Sequence, residues 1–245
     1  RIQASERAFA AILGDGSVVT WGQAEYGGNS SVAQERLKNV QQVQAANSAF
    51  AAILADGSVV TWGDAESGGD SSAVKGQLTS VQHVQAHWRA FAAILAGGFV
   101  VTWGDKNYGG HSCSVQERLK NVQHVQASRN AFAAILADGS VVTWGHRAYG
   151  GDSSAVQQQL QSVQHVQATE GAFAAILADG SIVTWGNAKS GGDSSAVQKQ
   201  LKNVQHVQAS GNAFAAILAD GSVVTWGRES HGLGRTAAHG HLPNP

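Results

Sequence analysis

An all-β protein built from six copies of one unit is the fold class that the sequence predicts, and three observations support it. The chain of 245 residues holds 30 glycines and only 2 prolines, a composition with many tight turns. The phrases AFAAIL and VTWG are unchanged in all six copies. One tryptophan recurs every 41 residues, at Trp21, Trp62, Trp103, Trp144, Trp185 and Trp226. A fixed period of this length is typical of solenoids and propellers.

The repeated unit divides into three predicted strands, which we describe on the fifth copy. Residues 163–168 (VQHVQA) alternate and carry β-branched side chains, and residues 172–177 (AFAAIL) are a short apolar run. The pair Asp179-Gly180 then predicts a hairpin turn of type I′, with positive φ at both residues. Residues 181–186 (SIVTWG) complete an antiparallel meander. Residues 195–198 (SAVQ) have the spacing of a capping box, which predicts a short helical turn.

Identical meanders bury both of their faces when they stack around an axis, and this arrangement is a β-propeller. The sequence therefore predicts one domain over residues 1–227, a closed ring of six blades with three to four antiparallel strands each. The units span residues 1–40, 41–81, 82–122, 123–163, 164–204 and 205–227, and residues 228–245 are predicted to be a C-terminal tail. Two alternatives to a self-closed ring stay open: an open arc, and a ring completed by another chain.

The repeat resembles that of a known family. The pattern Asp-Gly-Ser-Val-Val-Thr-Trp-Gly, followed by four variable residues and a glycine, is similar to the repeat of the regulator of chromosome condensation (RCC1-like) family. Residues 226–234 (WGRESHGLG) are the copy most similar to that family's Trp-Gly-x-x-x-x-Gly-x-Leu-Gly phrase. The short repeat is also similar to the compact repeats of the propeller-type β-lactamase inhibitor proteins. Those relatives have seven blades, so a chain of six copies departs from them at ring closure.

The resemblance implies roles in protein binding. Likeness to the regulator family implies a protein–protein scaffold, and likeness to the inhibitor proteins implies occlusion of an enzyme's active site. The nucleotide-exchange activity of the regulator family depends on elements outside the shared repeat, and these elements have no match in this sequence.

Composition narrows the classes of partner. The formal net charge is −1 and 13% of the residues are charged, which gives no electrostatic footprint for nucleic acid or an anionic membrane. No apolar run reaches the roughly 18–20 residues needed to cross a bilayer. Cys113 is the single cysteine, so an intrachain disulfide is excluded and a reducing compartment is expected. We therefore expect a cytoplasmic or otherwise intracellular monomer with no nucleic-acid or membrane partner.

The six copies differ mainly in two short loops. We call the three residues after the first strand the first loop, and the residues after the Trp-Gly pair the second loop. In an up-and-down meander both loops lie at the same end of the blade, which we call the loop face, and the Asp-Gly turns lie at the other end. Drift of exposed loops is one explanation of this variation. A recognition surface for a protein partner is the explanation we favour.

Candidate partner-binding residues on the loop face are aromatic and basic, because Trp, Tyr and Arg dominate the hot spots of protein interfaces. Trp88 is the one tryptophan outside the repeated motif, and the three tyrosines share one position of the second loop. The candidates are Trp88, His87, Arg89, Tyr26, Tyr108, Tyr149, Arg7, Arg129 and Arg147.

No catalytic set of residues stands out, and we expect neither an enzyme nor a cofactor. Four histidines share one position of the first strand and are weak candidates for a metal site at the channel: His83, His124, His165 and His206. Gln42 and Arg1 occupy the equivalent positions in the other copies, and no carboxylate joins the set at ligand spacing, so no metal is predicted. The function predicted is a non-catalytic, protein-binding scaffold. The alternatives are a lectin-like binder of small ligands or glycans between blades, and an engineered or recently amplified propeller with no function beyond folding.

Overall fold

The computed structural model describes residues 1–228 and consists of six three-stranded antiparallel sheets, each with its strands in chain order. Each sheet is one blade, numbered 1 to 6 along the chain. The first strands are Ile2–Ala4, Val40–Ala45, Val81–Ala86, Val122–Ala127, Val163–Ala168 and Val204–Ala209. The second strands are Ala8–Ile12, Ala49–Leu54, Ala90–Leu95, Ala131–Leu136, Ala172–Leu177 and Ala213–Leu218. The third strands are Val18–Gly22, Val59–Gly63, Val100–Gly104, Val141–Gly145, Ile182–Gly186 and Val223–Gly227.

Short 3₁₀ helices connect the blades. One begins in the second loop of each of blades 1 to 5: Ala24–Tyr26, Ala65–Ser67, Lys106–Tyr108, Arg147–Tyr149 and Ala188–Ser190. Another follows in units 1 to 4: Gln34–Arg36, Ser72–Gln77, Gln116–Arg118 and Ser154–Gln159. The predicted helical turn is therefore found in these four units, but in the fifth unit residues 195–200 form turns instead. The predicted tail of 228–245 lies, apart from Arg228, outside the described residues.

Each blade has two faces with different side chains. The face that carries the phenylalanine and the tryptophan packs against the preceding blade, and we call it the leading face. The opposite face, the trailing face, carries alanine, isoleucine and threonine. Between blades 4 and 5, Ala133 and Ile135 of the trailing face pack in one buried cluster with Phe173 and Trp185 of the next leading face. Alanine allows the sheets to approach closely, and the two aromatic rings fill the wider space.

The aromatic residues are held in the same way in successive blades. Phe173 and Trp185 are cross-strand partners, and their rings stack with centroids 5.2 Å apart. The indole Nε1 of Trp185 donates a hydrogen bond of 3.0 Å to the carbonyl oxygen of Gly150 in the preceding blade. The indole nitrogens of the tryptophans in blades 2, 3, 4 and 6 make the equivalent bond at 3.0–3.1 Å. The phrase VTWG is therefore repeated because each blade must fit its neighbour.

The Asp-Gly turns differ from the predicted type I′. In blade 2 the backbone N–H of Gly57 donates to Leu54 O, and Gly57 has a φ of 78°, whereas Asp56 does not have a positive φ. The aspartate instead accepts hydrogen bonds from the backbone and the hydroxyl of Ser58. This is the pattern of a type I turn followed by a glycine in the left-handed region, as in three-residue hairpin loops. The type I′ prediction is wrong, and the Asp-Ser pair supports the longer loop without being its cause, because Gly97-Gly98-Phe99 forms the same loop in blade 3.

The two ends of the blade series differ from its interior. On the leading face of blade 1, Phe9 and Trp21 are 42% and 44% exposed, whereas their equivalents in blades 2 to 6 are at most 4% exposed. On the trailing face of blade 6, Ile217 is 41% exposed, whereas its equivalents in blades 2 to 5 are buried. The six blades form a β-propeller whose two end faces are uncovered in the structure, and its closure into a ring stays a prediction.

Candidate binding surface on the loop face

The two variable loops of one blade touch each other, which confirms that they lie at the same end. In blade 4 the hydroxyl of Ser128, the first residue of the first loop, donates to the carbonyl oxygen of Tyr149 at 2.9 Å. Thr169 in blade 5 makes the same bond to Ser190 O at 2.8 Å. A hydroxyl at this position therefore fastens the first loop to the second.

In blade 3 this position is occupied by His87, and the structure corrects its predicted role. The imidazole is only 8% exposed and its ring centroid lies 4.4 Å from that of Phe132. Its Nε2 atom lies 2.5 Å from Tyr108 O, the contact that serine or threonine makes in blades 1, 4 and 5. His87 therefore lies beneath the loop face as a fastening residue and offers little surface to a partner.

The hydrogen bonds around His87 define its protonation. A carbonyl oxygen only accepts, so Nε2 carries the proton and donates to Tyr108 O, while Nδ1 lies 3.3 Å from the backbone N–H of Arg89 and accepts from it. Burial lowers the pKa of His87 from 6.5 to about 4, although the bond to Tyr108 and the charge of Asp105 act in the opposite direction. The neutral imidazole is thus the form that the fold accommodates.

Because of His87, we expect the free energy of unfolding to decrease as the pH is lowered. The folded pKa of about 4 is lower than the ordinary value of 6.5, so the stability is fully present above pH 6.5 and is lost as the pH falls from 6.5 towards 4. This difference in pKa corresponds to a loss of roughly 3 kcal/mol at most. Urea unfolding of the wild type and of His87→Ser at several pH values measures it.

The serine variant is a matched control, because Ser128 makes the same fastening bond in blade 4. The stability of the variant relative to wild type should rise as the pH falls through this window. Parallel pH profiles for the two proteins would show that His87 does not titrate in this way.

The second residues of the first loops form the inner rim of the loop face. They are Glu6, Asn47, Trp88, Arg129, Glu170 and Gly211. Backbone N–H groups donate to the next rim residue's carbonyl oxygen from Glu6 to Asn47, from Asn47 to Trp88, from Arg129 to Glu170 and from Glu170 to Gly211, at 2.8–3.0 Å. These bonds fix the spacing of the rim between blades 1 to 3 and between blades 4 to 6, and every blade except blade 6, where the residue is Gly211, contributes one variable side chain.

First-loop residues of blades 2 to 6, with Ala86 and Ala168 at the ends of first strands, line a cavity of about 530 Å³, which we call the central cavity. At its wall the guanidinium of Arg129 lies over the Trp88 ring, 3.9 Å from the ring centroid. Arg129 also pairs with Glu170, with 3.6 Å between Nη1 and Oε2. A cation over a tryptophan face and a carboxylate beside it hold both long side chains in place.

Sequence reasoning identified Trp88 and Arg129 but missed Glu170 and Asn47, which line the same cavity. The available signal was position. All four are the second residue of a first loop, so residues at that position in every copy belonged in the candidate set whatever their chemical type.

A row of aromatic rings continues from Trp88 across blades 3 and 4. Trp88 meets the Tyr108 ring edge-on at 6.5 Å, Tyr108 stacks on His146 at 6.2 Å, and His146 meets Tyr149 edge-on at 5.1 Å. The guanidinium of Arg89 lies 6.0 Å from the centroid of the Tyr108 ring. It is held there by ion pairs with Glu66, at 2.8 Å between Nη2 and Oε2, and with Asp105, at 3.3 Å between Nη1 and Oδ2. Three predicted residues, Trp88, Tyr108 and Tyr149, therefore belong to one continuous surface with Arg89 and Arg129 beside it.

The remaining predicted residues lie apart from this row. Arg7 lies over the Tyr26 ring at 5.1 Å in blade 1, and it also approaches Glu6. Arg147 pairs with Asp152 at 2.9 Å beside a cavity of about 310 Å³ between blades 4 and 5. Neither arginine lines the central cavity.

The four first-strand histidines are exposed on the inner strands. Among residues 1–228, no three His, Cys, Asp or Glu side chains are grouped closely enough to hold a metal ion. Within the same residues no helix is long and apolar enough to cross a membrane.

Comparison with known proteins places the fold. No family model and no curated protein matches the chain. The structure is similar to that of yeast RCC1 (Prp20) bound to Kap60, with a TM-score of 0.57 and 16% identity over 96% of this chain and 72% of that one. It is similar to human WBSCR16, with a TM-score of 0.56 and 13% identity over 93% of this chain and 77% of that one. Prp20p from Saccharomyces cerevisiae matches with a TM-score of 0.54 and 13% identity over 92% of this chain and 71% of that one.

The blades and the loop face thus define a β-propeller made of one repeated meander. More particularly, the chain has the RCC1-like β-propeller fold, as the motif around each Trp-Gly pair predicts.

Proposed function

We propose that this chain is a non-catalytic propeller that binds a protein partner through its loop face. The observation that carries the proposal is the surface formed by Trp88, Tyr108 and Tyr149 at the edge of the central cavity. Its side chains are oriented by Arg129 and Arg89, which are themselves held by carboxylates. Large aromatic groups held by neighbours are what protein interfaces use as anchors.

Preorganisation is the mechanism by which such a surface would bind. The rim residues are spaced by backbone hydrogen bonds, so little loop entropy is lost when a partner docks. The arginines of the row are paired with Glu66, Asp105 and Glu170, which leaves no large excess of one charge. The partner suited to this surface is therefore a protein segment with apolar or aromatic side chains and hydrogen-bonding groups rather than a polyanion.

The solved structures support the proposal by analogy of fold. Yeast RCC1 (Prp20) was solved bound to Kap60, and the separate Prp20p structure was described together with the binding of Prp20p to Gsp1p and histones. These partners belong to that protein, and at 13–16% identity they do not identify the partner of this chain.

We expect Trp88→Ala to weaken binding of the partner by about 2 kcal/mol, which is roughly 30-fold in Kd. The truncation removes the ring over which Arg129 lies and the first member of the aromatic row. Proteins retained by the immobilised full chain are identified by mass spectrometry, and the strongest is purified and titrated against wild type and variant by calorimetry.

Val32→Ala is the matched control, because Val32 is an exposed apolar side chain outside the central cavity. The proposal predicts that this variant binds like the wild type. A purified partner that binds Trp88→Ala as tightly as the wild type, or the absence of any protein retained by the loop face, would refute it.

Glycan binding between blades is the alternative that the 310 Å³ cavity between blades 4 and 5 would serve. Its mouth carries the Arg147–Asp152 ion pair, and four of the other units have alanine or glutamate at the position of Arg147. The cavity is therefore particular to this blade pair and does not provide the equivalent sites that a repeated lectin would use.

A further inference from the structure

Most of the large apolar side chains that are exposed in the described residues lie in blade 1. Phe9, Val19 and Trp21 of its leading face are 42–44% exposed. Phe9 and Trp21 are nonetheless stacked, with centroids 5.3 Å apart and an interplanar angle of 15°. The interior pairs have centroids 5.1–5.2 Å apart, so this face is formed in advance of any contact.

The trailing face of blade 6, at the other end of the blade series, is also uncovered. Ile217 is 41% exposed and Thr225 is exposed, whereas Ile176 and the isoleucines of blades 2 to 4 are at most 8% exposed under the following blade. The face carries no charged side chain among Ala213, Ala215, Ile217 and Thr225. His206, the register partner of Ile217, is on the same face, but its equivalent His165 stays exposed beside an interior contact, so covering the face does not require a charge to be desolvated.

Both uncovered faces have the residues of an interface that the chain already forms five times. In each interior contact, a leading face with Phe and Trp packs on a trailing face with Ala and Ile, and the threonines of the trailing faces of blades 2 to 4 are buried beside them. Phe9 and Trp21 match the covering residues, and Ile217 and Thr225 match the covered ones. An apolar face of this kind on a protein surface marks an interaction site.

The chain's own two ends do not cover each other, since Trp21 and Ile217 are both exposed. Within residues 1–228 both faces stay uncovered, and a second copy of this chain carries the surface that is complementary to each of them.

We propose that copies of this chain associate head to tail, with the leading face of blade 1 in one copy packed on the trailing face of blade 6 in another. The contact is heterologous, because the two surfaces differ. Each dimer formed in this way still has one free leading face and one free trailing face. Further copies can therefore add until the free leading face at one end of the assembly packs on the free trailing face at the other end and closes a ring.

Light scattering after size exclusion of the full chain tests the proposal over a dilution series. We expect a mass of at least twice 25.3 kDa that falls towards 25.3 kDa on dilution. The double variant Phe9→Ser, Trp21→Ser removes the leading face, and Ile217→Lys removes the trailing face. Each alone is expected to stay at 25.3 kDa.

Mixing the two variants provides the decisive result. Each retains the face that the other lacks, so the mixture should form a dimer of twice 25.3 kDa and nothing larger. Because the changed side chains are exposed, both variants should keep the wild-type circular dichroism. A wild type of 25.3 kDa at every concentration, or a mixture that does not associate, would overturn the proposal. The outcome does not depend on the loop face, since Trp88→Ala is expected to associate like the wild type.

Discussion

Phe173→Ala is expected to lower the free energy of unfolding by about 3–5 kcal/mol. The ring is fully buried, stacks on Trp185 and packs against the trailing face of blade 4. Its removal leaves a cavity between two sheets that are each fixed by their own strand pairing, so neither can easily collapse into the space. Urea unfolding followed by circular dichroism measures the change.

Phe9→Ala is the matched control in the same motif. Phe9 stacks on Trp21 as Phe173 does on Trp185, but it is 42% exposed because no blade covers it. At high dilution, where copies do not associate, this variant should lose about 1 kcal/mol or less.

The pair of variants also reports on ring closure. A chain that closes on itself would bury Phe9, and the two substitutions would then cost similar amounts at every protein concentration. A cost for Phe9→Ala that rises with protein concentration is the result expected for association between copies.

The strands could be predicted from the sequence because local pattern and tertiary packing agree in this fold. The predicted strand 172–177 is the observed Ala172–Leu177, and the predicted 181–186 is observed as Ile182–Gly186. The repeat supplies the remaining information, because a residue that every blade needs at an interface is unchanged in all copies. The turn type could not be predicted from Asp-Gly because the strand pairing sets the length of the loop. The N–H of Leu177 bonds to Ser181 O, and the equivalent bond from Leu95 to Phe99 O forms in blade 3 without an aspartate.

The loop face was predictable in its location but less so in its residues. Connectivity alone places both loops at one end, whereas the direction of each side chain depends on contacts with the second loop. His87 shows the difference. Ser5, Ser128 and Thr169 at the same position all carry a hydroxyl, and this shared chemistry was the available sign that the position fastens the loops.

The uncovered end faces could not be derived from the repeat. Six copies of one unit in a closed ring would form six contacts between blades, and the sequence alone does not determine whether the sixth contact, between blades 6 and 1, is formed. That depends on the rotation between successive blades, which is a property of the packed sheets and not of any single residue.

Gly150→Ala is expected to lower the free energy of unfolding by about 2–5 kcal/mol, from two separate causes. Gly150 has a φ of 92°, which strains any residue with a Cβ atom. A Cβ at this position would also lie 2.5 Å from Cδ2 of Phe173. Displacement of the loop would weaken the bond from Trp185 Nε1 to Gly150 O as well. Urea unfolding measures the change.

The matched control is Gly76→Ala, where no heavy atom lies within 4 Å of the added Cβ and φ is not in the left-handed region. This change should be neutral or stabilise the chain by up to about 1 kcal/mol, by restricting the unfolded state.

The double variant Gly150→Ala, Phe173→Ala separates the two causes. Without the ring the clash disappears, so the alanine at position 150 should cost only the backbone strain, about 1–2 kcal/mol. Its cost in the Phe173→Ala background should therefore be smaller than in the wild type, a coupling expected of residues in contact. Strictly additive costs would mean that the second loop moves away from the ring freely. The carbonyl of Gly150 would then not be a rigid acceptor for Trp185, and Gly150 would owe its presence to backbone conformation alone.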